Sequence, residues 1–230
     1  MFEIEKEEYK KEYPITDMVE QLLTLTEDEW GLYSFYHEPL ERKFTKEQKI
    51  EYIHSAIRCG KEEGKKLKEQ HPQMELENII KILGVKLEKS NVPTGGERVL
   101  FAQYTEPDEI VIYRDCIDKV QNDVKEIEKK QLLSNIPIEQ ILIAHELFHG
   151  IEYQKRKEIY TQTEKIELWR KPFSNKSKIV CLSEIAAMAF AKEVLDLPFS
   201  PYLLDVLLLY GYDKKVASAL YDEILEIIAE

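Results

Sequence analysis

The run His145-Glu146-Leu147-Phe148-His149 carries the residues best suited to chemistry. On a helix, positions i and i+4 stand one above the other on the same face, so both imidazoles can reach one metal ion. Zinc takes such nitrogens at about 2.0–2.1 Å in a tetrahedral set, and a catalytic zinc keeps one of its four positions open. Glu146, directly after the first histidine, then faces the side where a water would sit and can take its proton. The chemistry implied is metal-assisted hydrolysis, with His145 and His149 as ligands and Glu146 as general base. The surrounding residues favour this over a chance motif on a solvated face. Ile138, Ile141, Leu142, Ile143, Ala144, Leu147, Phe148 and Ile151 bracket it. A glutamate in so apolar a setting is costly unless it has a partner.

The candidates for the third ligand are acidic, since no histidine follows His149 and position 155 is Lys. Glu184 opens an Ala-rich stretch, Ala186, Ala187, Ala189 and Ala191, whose small side chains let a helix pack closely on the motif helix. Glu152, three residues after His149, is the alternative. A straight helix brings three such residues to one tetrahedral ion only with difficulty, so Glu152 fits better as a supporting or surface group. Tyr160, Arg170, Tyr202, Tyr210 and Tyr212 are all open as donors to a developing oxyanion.

The elements that must position these residues are legible as a pattern. Thr45-Lys46-Glu47-Gln48 is a capping box opening a helix to about Gln70, which His71-Pro72 ends. A shorter helix over 75–83 precedes Gly84, a C-cap residue. A strand follows over 85–88, and β-rich stretches over 98–104 and 109–114 form a hairpin. Residues 118–132 read as a charged helix. Asn135-Ile136-Pro137 opens the motif helix, with Pro137 in its first turn. Residues 154–178 are a charged connection broken by Pro172. Helices follow over 183–195, after Ser200-Pro201, and from Lys214 to Ala229, the last capped by Asp213. The expected fold is α+β and mainly helical, with a small antiparallel sheet in mid-chain. Residues 1–45, with Trp30, Tyr33, Phe35 and Tyr36, form an extension whose aromatic cluster is expected to pack as core. Residues 46–230 form the main domain.

Composition limits the function classes. Hydrophobic residues at 43% and charged residues at 33% belong to a folded chain rather than a disordered one. A net charge of −12 argues against general nucleic-acid binding, which needs a basic face. The helix pair around Gly211 has the outline of a helix-turn-helix, but its acidic residues favour ordinary packing. Cys59, Cys116 and Cys181 are too few and too scattered for a disulfide framework or a metal knuckle. With neither a basic-apolar leader nor a membrane-length apolar run, the expected location is the cytoplasm.

Ile143-Ala144-His145-Glu146-Leu147-Phe148-His149 resembles the active helix of the ImmA/IrrE family of gluzincin-type metallopeptidases. Ser183-Glu184-Ile185-Ala186-Ala187-Met188-Ala189-Phe190-Ala191 resembles the helix that brings that family's glutamate ligand. The likeness spans roughly 46–230 as an order of elements. It implies a zincin-like domain, a zinc ion on His145, His149 and Glu184, and cleavage of a protein substrate, often a helix-turn-helix repressor. The substrate is then expected to lie extended along the free edge of the 98–114 hairpin. The segment 1–45 and the long 154–178 connection depart from the family pattern. A metal-containing binding or sensor protein without turnover is the competing class. An intact Glu146 speaks against it, because a retired site has no chemical need of that carboxylate.

Overall fold

The computed structural model describes residues 2–3, 11–92, 98–169 and 175–229. It is a mixed α+β fold, mainly helical with small sheets. The N-terminal part supplies β1 (Phe2–Glu3), α1 (Ile15–Leu22) and α2 (Glu27–Tyr36). Then comes α3 (Lys46–Gln70), which starts where its capping box requires: Gln48 N donates to Thr45 Oγ1 at 3.3 Å, and Thr45 N donates to Gln48 Oε1 at 3.0 Å. The short α4 (Leu76–Ile82) ends in a turn at Gly84, whose φ of +72° is the left-handed conformation that glycine adopts most cheaply.

Four strands follow: β2 (Lys86–Ser90), β3 (Arg98–Val99), β4 (Ala102–Thr105) and β5 (Glu109–Tyr113). The expected hairpin is β4–β5, antiparallel with Tyr104 opposite Ile110. The sheet as a whole is mixed rather than antiparallel, a correction to the sequence expectation. Strand β5 inserts between β2 and β4 and runs parallel to β2. Its Ile110 and Ile112 are completely buried, so this strand takes the central position, while β4 and β2 are the edges.

The single helix expected over 118–132 is two, α5 (Arg114–Lys119) and α6 (Gln121–Lys129), broken at Val120. Val120 is fully buried, and a Cβ at Gly211 would lie 2.5 Å from its Cγ1, so the chain bends there to fill the core. The motif helix α7 (Ile138–Gln154) begins one residue after Pro137, which is its N-cap rather than part of its first turn. The 154–178 connection is more ordered than its composition suggests. It holds α8 (Tyr160–Thr163) and the strands β6 (Lys165–Trp169) and β7 (Asn175–Lys178), which pair antiparallel. Strand β7 reads Asn-Lys-Ser-Lys, so backbone pairing rather than a buried face makes it a strand, and no apolar alternation announces it. Three helices close the chain: α9 (Cys181–Val194), α10 (Leu203–Tyr210) and α11 (Lys214–Ala229). Asp213 Oδ1 accepts from Lys215 N at 2.9 Å and Val216 N at 3.1 Å, the N-cap expected of it.

The core is built where α3, α7 and α9 meet. Small residues do let α9 approach its neighbours, but the tightest approach is to α3. A Cβ on Gly60 would stand 2.1 Å from the Ala186 carbonyl oxygen. Against α7, Phe190 packs on Phe148 with ring centroids 5.6 Å apart. Trp30, Tyr33 and Phe35 are buried in this same core, as the aromatic cluster predicts, whereas Tyr36 is 51% exposed. Glu38, just after α2, is 4% exposed and accepts from Cys181 N at 3.1 Å, so the N-terminal segment holds the first turn of α9. The three cysteines are free. No helix among the described residues is long and apolar enough to cross a membrane.

Candidate metal centre

Helix α7 sets His145 and His149 one turn apart, with Nε2 atoms 3.2 Å from each other. Helix α9 brings Glu184 against both. Its Oε2 lies 3.3 Å from His145 Nε2 and its Oε1 3.6 Å from His149 Nε2. Bonds of about 2.0–2.1 Å in a tetrahedron give ligand–ligand edges of about 3.3–3.4 Å. The two imidazole nitrogens stand close to that spacing, each meets its own oxygen of Glu184, and one donor from each residue lies within 4.8 Å of the others, so this group could hold a metal ion.

The protons agree with that reading. Ser183 Oγ lies 2.8 Å from Glu152 Oε2, an acceptor, so the single Ser183 hydroxyl proton goes there. Ser183 Oγ must then accept from His149 Nδ1, 3.2 Å away. That leaves His149 Nε2 unprotonated, with its lone pair turned toward His145 and Glu184, the tautomer a metal requires. Glu152 is thus the supporting group rather than a ligand. It is 6% exposed and also receives a hydrogen bond from Thr161 Oγ1. Burial resists its charge, but bonds from His149, Thr161 and Ser183 hold it below the ordinary carboxylate range.

Without a cation, the cluster settles its charges with a proton. Burial works against a charged His145, yet the adjoining Glu184 carboxylate prevails and lifts it to about 9. Glu184 is correspondingly held down to about 2, since His145 and His149 outweigh the burial that opposes its ionisation. The Glu184 side chain is 51% accessible. The shift therefore reflects the close histidines of the cluster more than burial of the carboxylate itself.

That cavity measures about 580 Å³ and is lined by His145, Glu146 and Glu184, with Ile141, Leu142, Leu204 and Leu208 among its apolar walls. Glu146 is 8% exposed and shares the cavity with two of the ligands. Of the five residues open as oxyanion donors, Tyr202 lines the cavity, and its buried hydroxyl has no hydrogen-bond partner. Tyr160, Tyr210 and Tyr212 do not line it, and Arg170 lies outside the described residues. Asp205 and Tyr33 also line the cavity, and nothing in the sequence tied either to the site. Burial raises the Asp205 carboxyl to about 7, against the lowering influence of His145. Both residues sit in ordinary-looking apolar helical segments, so only their placement marks them.

No family model, curated protein or solved structure matches this chain.

Proposed function

We propose that this chain is a zinc-dependent peptidase of the gluzincin type, related in layout to the ImmA/IrrE family. Its substrate is a protein or peptide, and the resemblance favours a transcriptional repressor. One observation carries the reading: two imidazole nitrogens and a carboxylate oxygen converge within 4.8 Å of one another beside a cavity that Glu146 also lines. His145, His149 and Glu184 would hold the ion, and two nitrogens with one carboxylate suit zinc. When bound, zinc supplies Lewis acidity, acidifying water and polarising a carbonyl.

The remaining steps belong to the chain. Glu146 accepts a proton from the attacking water and returns it to the leaving nitrogen. The apolar walls of the cavity exclude bulk water, which strengthens each electrostatic contact inside. Strand β4 pairs only with β5 among the described residues, and Tyr104 of β4 packs against Gly150 of α7. A substrate strand adding to β4 would therefore run alongside the motif helix.

Glu146→Gln tests the proposal. Purified variant and parent should carry equal zinc by elemental analysis, while cleavage of a quenched-fluorescence peptide library falls by about 10²–10⁴-fold in the variant. If the parent holds zinc and cleaves nothing, including co-purified partner proteins, the chain is the silent binding protein instead.

A further inference from the structure

The carboxylates facing the cavity differ in how they are satisfied. Glu184 belongs to the metal cluster and Glu146 to the water. Glu223 has His37 at 4.0 Å. Asp205 forms no salt bridge among the described residues, the charge of His145 reaches it only from within the metal cluster, and its one hydrogen bond, from Tyr33 Oη, is long at 3.5 Å. None of the residues lining the cavity is Lys or Arg. A carboxylate enclosed this way is costly to bury unless something neutralises it. Tyr202 repeats the signal: it is 6% exposed, and its hydroxyl lacks any partner. Its ring stands edge-on to that of Tyr33, with centroids 5.9 Å apart, and both rings line the cavity.

We propose that Asp205 makes this cavity a subsite for a cationic side chain, lysine or arginine, of the substrate, with Tyr33 and Tyr202 as its aromatic walls. The ammonium or guanidinium supplies the missing counter-charge and further donors to the Asp205 carboxylate. Aromatic faces attract the same cations, and Leu204 and Leu208 cover the aliphatic stem. The volume lies within the ordinary range for ligand pockets. The cavity lined by His149 is mixed in character, since it holds Arg156 and Lys178 beside Glu106 and Glu152. The Asp205 cavity differs in having carboxylates with no Lys or Arg among them. The word substrate rests on the peptidase reading; the binding of a cation does not.

The test uses the full zinc-loaded chain at mildly alkaline pH and two probes, n-butylguanidinium and the neutral 1-pentanol, in calorimetric titrations. The guanidinium should bind and the alcohol should not compete with it. Asp205→Asn, checked for folding and zinc content, should weaken guanidinium binding by about 10–100-fold. Glu223→Gln removes an equal charge from the same lining and should change it far less. Equal effects of the two variants would mean a diffuse field and overturn the site, as would a parent chain that ignores the guanidinium. In a peptide library, cleavage should prefer bonds flanked by Lys or Arg, and Asp205→Asn should lose that preference. A chain that binds the guanidinium but cleaves nothing keeps the subsite and loses the peptidase reading. Preference for Leu, unchanged in Asp205→Asn, does the reverse.

Discussion

The Nε2 atoms of His145 and His149 face each other at 3.2 Å. Two imidazole lone pairs at that distance repel unless a proton or a cation lies between or beside them. In the metal-free chain a proton serves, held on His145, which the adjoining Glu184 carboxylate raises to about 9 against the opposing effect of burial. A metal ion must displace it. The apparent metal affinity should therefore rise about tenfold per pH unit from neutrality to about pH 9, then level off. The sign follows from the raised value: below it the site is protonated and metal competes with a proton. Competition titrations with a chelator at several pH values measure this, and an affinity independent of pH would show that His145 carries no such proton.

Glu152 fixes the tautomer of His149 through Ser183 without being a ligand. Glu152→Gln and Ser183→Ala should each lower metal affinity by about 10–100-fold while leaving one ion per chain at saturation. Glu184→Ala should instead lower the occupancy itself. Elemental analysis after gel filtration separates the two behaviours; equal loss in all three variants would make Glu152 a ligand.

Gly60 controls how closely α9 lies on α3. A Cβ there meets the Ala186 carbonyl oxygen at 2.1 Å and the Phe190 amide nitrogen at 3.0 Å, both backbone atoms that cannot rotate away. Gly60→Ala should cost about 1–3 kcal/mol. It should also weaken metal binding, because α9 carries Glu184. Denaturant melts and a metal titration on the same preparation test both, and parental values in each would refute the coupling.

Glu63 ties α3 to the end of α7. Burial pushes its pKa up, but Lys155 and Lys66 outweigh this and hold it below the ordinary 4.5. A lowered folded-state pKa stabilises the fold above the unfolded value and loses that contribution as pH falls through the folded value. Lys155 and Lys66 are half exposed, so the contribution is about 1 kcal/mol at neutral pH. Urea midpoints of Glu63→Gln should lie below the parent's at neutral pH and converge with them in acid. A gap that persists in acid would point to packing instead.

Much of the local structure was open to reading along the chain. The helix from Thr45 to Gln70, the Gly84 turn, the β4–β5 hairpin and the Asp213 cap depend on neighbours within a few residues, and the sequence records those directly. The pairing of β6 with β7 left no trace in hydropathy, because β7 is polar throughout and backbone bonds hold it to β6. The mixed sheet was equally hidden, since which strand lies between two others depends on what covers them.

The metal cluster divides the same way. His145, Glu146 and His149 are neighbours on one helix, so helical periodicity alone puts the two imidazoles together. Glu184 could be named from its Ala-rich surroundings, but its distance to the histidines depends on two contacts between segments far apart in the chain, Gly60 against Ala186 and Glu38 with Cys181. Tyr202 was one of five unranked candidates, and nothing in the sequence tied Asp205 or Tyr33 to the site. Their chemistry comes from burial and from each other's company, and both arise only when α2, α9 and α10 close around one cavity.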